Sequence, residues 1–297
     1  MIRFGPAGWD YEDWSGKVYP RPAPRGFDPL AYLARYFDAV ELNASFYRPP
    51  AAKVAESWLR RVEDRPDFRF TLKLWQRFTH ERESAWSADD VKAARAAPDA
   101  FARAGRLGAV LLQFPWSFKR EEANEEWLRD LLARFGDLPL VVEVRHASWN
   151  VPETYGLLAE RGAGFVNLDQ PMFRHSLGPS AVATSAVGYV RVHGRNHQDW
   201  FREGAGRDAR YDYLYPAAEL APWAERVGAL AAAPGVKDVF VVTNNHFEGK
   251  AVANAAMLAS MVRGERVAAP PDLVAAYRDA LAPYADAVGQ GQQALLR

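Results

Sequence analysis

The chain contains no cysteine, which removes disulfides, thiolate metal ligands and a thiol nucleophile together. It has no excess charge of either sign: 37 Lys and Arg stand against 37 Asp and Glu. The basic surplus with which nucleic-acid binders collect phosphates is therefore missing, and only a local basic patch would serve such a partner. No apolar run approaches the ~20 residues that cross a bilayer. The opening Met1-Ile2-Arg3-Phe4-Gly5-Pro6 lacks the apolar stretch of a signal peptide. A P-loop, a strand–GxGxxG–helix unit, His-Glu-x-x-His and Gly-x-Ser-x-Gly are all absent. The expectation is a cytoplasmic globular protein with no membrane segment and no cofactor.

What is present is apolar material for a sizeable core, 49% of 297 residues, arranged with a repeating rhythm. Strand-like runs fall at Arg3–Ala7, Ala39–Asn43, Phe68–Leu74, Ala109–Phe114, Leu140–Arg145, Gly164–Asp169, Gly188–His193 and Asp238–Asn244. Helical segments with start signals lie between them. Asp28 precedes Pro29, Pro50 opens 51–62, and Ser87 with Asp90 forms a capping box. Asn124 is the expected cap of 125–135, and helices are expected at 153–161, 217–232 and 250–263. Eight strands alternating with helices predict one parallel (β/α)₈ barrel, a TIM barrel, over 1–297. Two departures are expected: an irregular connection at 170–187, with a short strand at 181–184, and an extra C-terminal helix at 272–281. The tail from 289 is expected to fray.

Alternation along the strands then sorts the side chains, because residues i and i+2 share a face. Val142 and Val144 oppose Glu143 and Arg145; Val190 and Val192 oppose Arg191 and His193; Val40 and Leu42 oppose Glu41 and Asn43. Likewise Thr71 with Lys73, Gln113, and Asn167 with Asp169 oppose aliphatic rows. If the aliphatic rows face the helices, the polar rows point into the barrel near the C-terminal strand ends, where barrel enzymes carry their sites. Charges there must pair with one another, with water or with a ligand. The plain alternative is an ion-pair network that only fills the barrel.

The same residues carry a resemblance. Gly5-Pro6-Ala7-Gly8-Trp9 with Trp14 to Pro20, Glu41 to Tyr47, Thr79-His80, Gln113-Phe114-Pro115, Glu143 to Trp149, Arg191 to Arg195, Tyr211 to Tyr215 and Asn244-Asn245-His246 run in order along the chain. In these segments the chain resembles the DUF72 (YecE-like) family, described as barrels of unknown function related to sugar isomerases. The resemblance implies the barrel and brings no reaction with it.

The candidate site follows from these rows. Glu143, Asp169 and His193 are the expected proton-transfer groups, at the ends of strands five, six and seven. Lys73, Arg145, Arg191 and Arg195 are expected to hold an anion. Glu41, Asn43, Gln113, Asn244 and Asn245 supply further polar contacts, while Trp9 and Tyr47, with Trp75, Trp116 and Trp149, wall the pocket. Glu143, Asp169 and His193 also resemble the ligands of metal-dependent sugar isomerases, but strand eight offers Asn244 or Asn245 where a fourth carboxylate is expected, so no metal is assigned. The leading expectation is a barrel enzyme for a small anionic, sugar-like or phosphorylated metabolite. The alternatives are a metal-dependent phosphodiester or nucleic-acid enzyme on an endonuclease IV-like barrel, and a non-catalytic ligand-binding protein.

Overall fold

A computed structural model describes residues 1–198, 202 and 207–289. The strands are β1 (Ile2–Pro6), β2 (Ala39–Leu42), β3 (Arg69–Lys73), β4 (Leu107–Gln113), β5 (Leu140–Glu143), β6 (Gly164–Asp169), β7 (Val187–Val192) and β8 (Asp238–Thr243), followed by a short parallel pair, β9 (Val267–Ala269) and β10 (Ala285–Ala287). The first eight form one parallel sheet in the order β1-β8-β7-β6-β5-β4-β3-β2. Its ends meet at an isolated bridge between Ala7 and Glu41, reinforced by Gly8 N–H donating to Glu41 O at 2.8 Å. The result is a nearly closed TIM barrel, with all eight expected strands in place.

The helices are α1 (Pro29–Leu33), α2 (Ala52–Arg61), α3 (Gln76–Thr79), α4 (Ala88–Arg103), α5 (Glu122–Phe135), α6 (Pro152–Glu160), α7 (Arg207–Arg210), α8 (Ala217–Ala232), α9 (Lys250–Arg263), α10 (Pro271–Ala276) and α11 (Arg278–Leu281). Local chemistry sets their starts. Asp28 accepts from Ala31 N–H at 3.1 Å, and Ser87 and Asp90 close the capping box before α4. Asn124 is not a cap: α5 begins earlier, at Glu122, and the Asn124 amide instead donates to Lys119 O. The expected last helix is split at Tyr277, whose φ/ψ of −120°/39° leave the helical region, and whose hydroxyl donates to Glu248 O. No strand forms at 181–184. That segment is held by side chains instead: Asn167 Oδ1 accepts from Val182 N–H and Ser180 hydroxyl, both at 2.7 Å. Of the expected frayed tail, all but Gly289 lies outside the described residues.

Register decides which residues share a face, because in-register residues of a parallel pair point the same way. Gln113 pairs with Glu143 and Leu111 with Val141; Val141 pairs with Gly164; Val166 and Leu168 pair with Tyr189 and Arg191; these pair with Phe240 and Val242. The inner row therefore contains Glu143, Arg191 and His193, as expected, but on β6 it contains Val166 and Leu168. Asn167 and Asp169 face outward, the reverse of the expectation.

Gly5 shows how closely the barrel's seam is packed. A Cβ there would sit 1.8 Å from Ala39 O, a backbone atom that cannot yield cheaply. Gly5→Ala should cost about 3 kcal/mol or more in chemical denaturation. The control Gly156→Ala, in α6 with nothing within 4 Å of the added methyl, should instead gain about 0.5–1 kcal/mol. Equal stabilities for the two variants would contradict the close β1–β2 approach.

Candidate functional site

Three inward strand positions lie near one level of the barrel: Glu41 on β2, Glu143 on β5 and Arg191 on β7. All three side chains are fully buried. Arg191 Nη2 donates to Glu41 Oε1 at 2.6 Å and Nη1 to Glu143 Oε2 at 2.5 Å. These bonds cross the barrel interior, since the strands are not sheet neighbours. Glu41 Oε2 accepts from the Tyr189 hydroxyl at 2.8 Å, with Thr71 Oγ1 2.8 Å from the same hydroxyl. Glu143 Oε1 accepts from Arg145 Nε and Nη2 at 3.1 and 2.8 Å. Gln113 Oε1 lies at the limit of hydrogen bonding, 3.5 Å from Arg191 Nη1.

A relay of neutral groups leads from this network to the mouth. Asn43 Nδ2 donates to Asn244 Oδ1 at 3.3 Å, and Asn244 Nδ2 lies 3.0 Å from His193 Nδ1. An amide nitrogen can only donate, so Nδ1 is the acceptor and Nε2 carries the proton, assigned from the bonding pattern. Nε2 lies 3.3 Å from Glu143 Oε1. Burial lowers the His193 pKa to about 3; Glu143 opposes the shift and Arg191 adds to it. The ring is therefore neutral at physiological pH. Burial alone would raise the Glu143 pKa, but Arg191, His193 and Arg145 together hold it well below the usual carboxylate range. Arg191 is raised further, since its two carboxylates outweigh burial.

Lys73, at the end of β3, differs from every other cation here. Its ammonium rests 4.3 Å from the centroid of the Phe46 ring, with no ion pair and no hydrogen bond to the described residues. Burial is the main influence on it, and Arg191 the next. They outweigh Glu41 and Glu143 and lower its pKa to about 7. His80, edge-on to Phe46 at 4.8 Å, is lowered to about 4 by burial, by Lys73 and by Arg145.

Lys73 opens into a cavity of about 70 Å³. Asn43 and Asn244 share its lining, and Tyr11, Tyr47, Tyr211 and His246 complete it. Tyr11 stacks on His246 at 4.6 Å, and Tyr211 lies 4.8 Å from the same imidazole. A wider cavity of about 430 Å³ adjoins it, sharing Tyr11, Asn43 and Tyr47 and adding Trp9 and Trp58. Those two indoles meet edge to face at 5.4 Å, and Tyr47 is 62% exposed.

The expected site residues thus divide. Trp9, Asn43, Tyr47, Lys73 and Asn244 line the paired cavities; Glu41, Gln113, Glu143, Arg145, Arg191 and His193 form the network behind them. Asp169 does not join. It faces outward and binds Arg195 Nε and Nη2 at 2.8 and 3.0 Å, with Arg195 also 3.4 Å from Glu219. Asn245 turns away too, donating to Tyr213 O and Asn254 Oδ1. Trp149 is fully buried and stacks on Phe118 in the core. Arg145, Arg191 and Arg195, expected to hold an anion, each sit on carboxylates. Glu143, Asp169 and His193 do not converge, and among the described residues no group of three or more His, Asp or Glu is arranged to hold a metal ion. Tyr189, which completes the Glu41 hydrogen bonds, and the wall residues Tyr11 and Tyr211 were not anticipated. Tyr189 was legible as the residue two before Arg191 on the same row.

The fold and the site together define a nearly closed parallel (β/α)₈ barrel with a charged, hydrogen-bonded network under a polar pocket at the C-terminal ends of its strands. The chain belongs to the DUF72 family: the family model, described as a protein of unknown function, matches residues 3–276. It is 30% identical over 267 residues to the UPF0759 protein YunF of Bacillus subtilis, covering 86% of this chain and 92% of that protein. A crystal structure of a DUF72 family protein from Thermotoga maritima matches with a TM-score of 0.75 at 33% identity, over 89% of this chain and 99% of the other. One from Enterococcus faecalis shows the same fold, with a TM-score of 0.76 at 24% identity, over 89% and 96%.

Arg191 is the central cation, so its loss strands two buried carboxylates. Arg191→Met should cost about 3–5 kcal/mol of stability in urea. Adding Glu41→Gln and Glu143→Gln should restore most of that. An Arg191→Met variant as stable as the parent would show that the network carries little weight.

Proposed function

We propose that the barrel mouth binds and transforms a small sugar-like metabolite, neutral or anionic, with its ring against Trp9 and Tyr47 and its reacting end beside Lys73. The observation that carries this reading is the pair of adjoining cavities that share Tyr11, Asn43 and Tyr47. The outer one is sized and walled for a ring, with indole and phenol faces suited to the C–H face of a sugar. The inner one is lined by amides, phenols, an imidazole and an amine, and has room for a few water-sized groups. Such groups donate to and accept from hydroxyls on every side.

The electrostatics support the same class. Glu41 and Glu143 balance Arg145 and Arg191, so the network behind the pocket is neutral overall. Lys73 then sets the sign of the inner cavity, which is neutral when the amine is deprotonated and singly positive when it is protonated. A neutral or anionic ligand suits both states, and a cation suits neither. An anionic group entering beside the amine would restore its proton. Of the expected proton-transfer groups, His193 is tied to the cavity wall by its hydrogen bond with Asn244 and braced from behind by Glu143, while His246 lines the inner cavity itself. Asp169, turned outward, has no part in this reading.

Thermal melting against neutral sugars, sugar phosphates and inorganic phosphate tests the proposal. A ligand at about 100 times its Kd adds about 2.7 kcal/mol, which is a shift of several degrees. The expected result is such a shift for at least one sugar or sugar phosphate at 10 mM, on the order of a hundred times a typical small-metabolite Kd, and its loss in Trp9→Ala and Asn244→Ala. No shift with any compound, or an unchanged shift in both variants, would overturn the reading.

A further inference from the structure

We propose that Lys73 is a nucleophile whose amine attacks an aldehyde or ketone carbon in the inner cavity and holds it as an imine. This rests on the sugar-like ligand proposed above and names its reacting form, the open-chain carbonyl. Lys73 lines the inner cavity, yet its nitrogen has neither an ion pair nor a hydrogen bond among the described residues. In most buried settings a lysine ammonium finds a carboxylate. Here both nearby carboxylates are engaged, Glu41 by Arg191 and Tyr189, Glu143 by Arg191 and Arg145. The contact left to the amine is the Phe46 ring.

The position is also held. The Ser45 hydroxyl lies 2.8 Å from both Leu42 O and Lys73 O, tying the loop after β2 to the end of β3. Phe46 follows directly on Ser45, so the ring under the amine and the backbone that bears the amine are fixed by one residue pair. Burial and the adjacent guanidinium of Arg191 lower the amine to about 7, so a large share is unprotonated at neutral pH. Desolvation beside another cation is a recognised way to make a lysine nucleophilic. A lysine meant to hold an anion permanently would instead keep its proton.

The step balances without an oxidant or reductant. The nitrogen lone pair forms the N–C bond while the carbonyl π pair moves to oxygen, and a proton passes from nitrogen to that oxygen to give the carbinolamine. The C–O bond then breaks; the oxygen leaves as water with one more proton from solvent, and the nitrogen lone pair closes the C=N bond. The product is a protonated imine. Asn43 and Asn244 line the same cavity and can hydrogen-bond the departing oxygen.

The test is reductive trapping of the full-length protein with cyanoborohydride at pH 7, using glycolaldehyde, glyceraldehyde 3-phosphate, dihydroxyacetone phosphate and pyruvate as probes. Peptide mass spectrometry then locates the secondary amine. The expected result is an adduct on Lys73 at least about tenfold above that on exposed Lys53 or Lys92, because the lowered pKa of Lys73 leaves more free amine at pH 7. Lys73→Met should abolish the adduct while remaining folded, because it removes a charge from an apolar contact. Labelling spread evenly over the exposed lysines would overturn the proposal. Thermal stabilisation by a sugar or by inorganic phosphate with no Lys73 adduct would overturn the imine and leave ligand binding standing. Neither stabilisation nor adduct would overturn both.

Discussion

A guanidinium cannot give up its proton, so an arginine with no exposed surface must be matched by negative charge. Arg191 meets that constraint with one carboxylate on each Nη group, Glu41 and Glu143. Much of the mouth follows from this. The fork ties β2, β5 and β7 together through the interior, which the sheet hydrogen bonds do not do. It leaves Glu41 Oε2 to be met by Tyr189, and Glu143 Oε1 to be met by Arg145 and His193. Above all, it uses the negative charge that Lys73 would otherwise claim.

The division of labour at the mouth is therefore between held and unheld charge. Arg145 and Arg191 are positioned by carboxylates and act on the pocket through their fields. Lys73 has the Phe46 ring and the cavity. A buried network is costly to assemble and gives little net stability over an apolar filling. Its position under a pocket whose amine it leaves without a carboxylate accounts for it better than barrel filling does, since the inner rows of β4, β6 and β8 use Leu111, Val166, Leu168 and Val242 for that purpose.

Much of this was legible in the sequence. Alternation on β2, β3, β4, β5 and β7 assigned Glu41, Lys73, Gln113, Glu143 and Arg191 to the interior because the aliphatic residues between them had a helix to face. On β6 the same reasoning failed for Asn167 and Asp169. No helix follows β6; the loop 170–186 covers its outer face instead, and a loop brings unpaired backbone groups that need polar partners. Asn167 meets both backbone groups of Val182 and also accepts from the Ser180 hydroxyl, and Asp169 serves the side chain of Arg195. The missing helix was visible, and its consequence for the outer row could have been drawn. What alternation cannot give is level: which carboxylate meets which arginine depends on stagger across the barrel, so the release of Lys73 from any ion pair could not be read. Nor could Tyr11, Tyr211 and His246 be placed, because they reach the cavity from loops.

The account turns on whether the amine of Lys73 is depressed in the folded protein. Lysine-selective ¹³C labelling, with Lys73→Arg to assign the resonance, allows its ε-carbon shift to be followed against pH. Phe46, Arg191, Arg145, Glu41, Glu143, His80 and the cavity's Tyr11, Tyr47, Tyr211 and His246 are the groups that set its surroundings. The account predicts a midpoint near 7, with Lys73 protonated below it and neutral above. A midpoint near the ordinary 10.5 would contradict it, and would make Lys73 one more surface cation at the edge of a filled barrel.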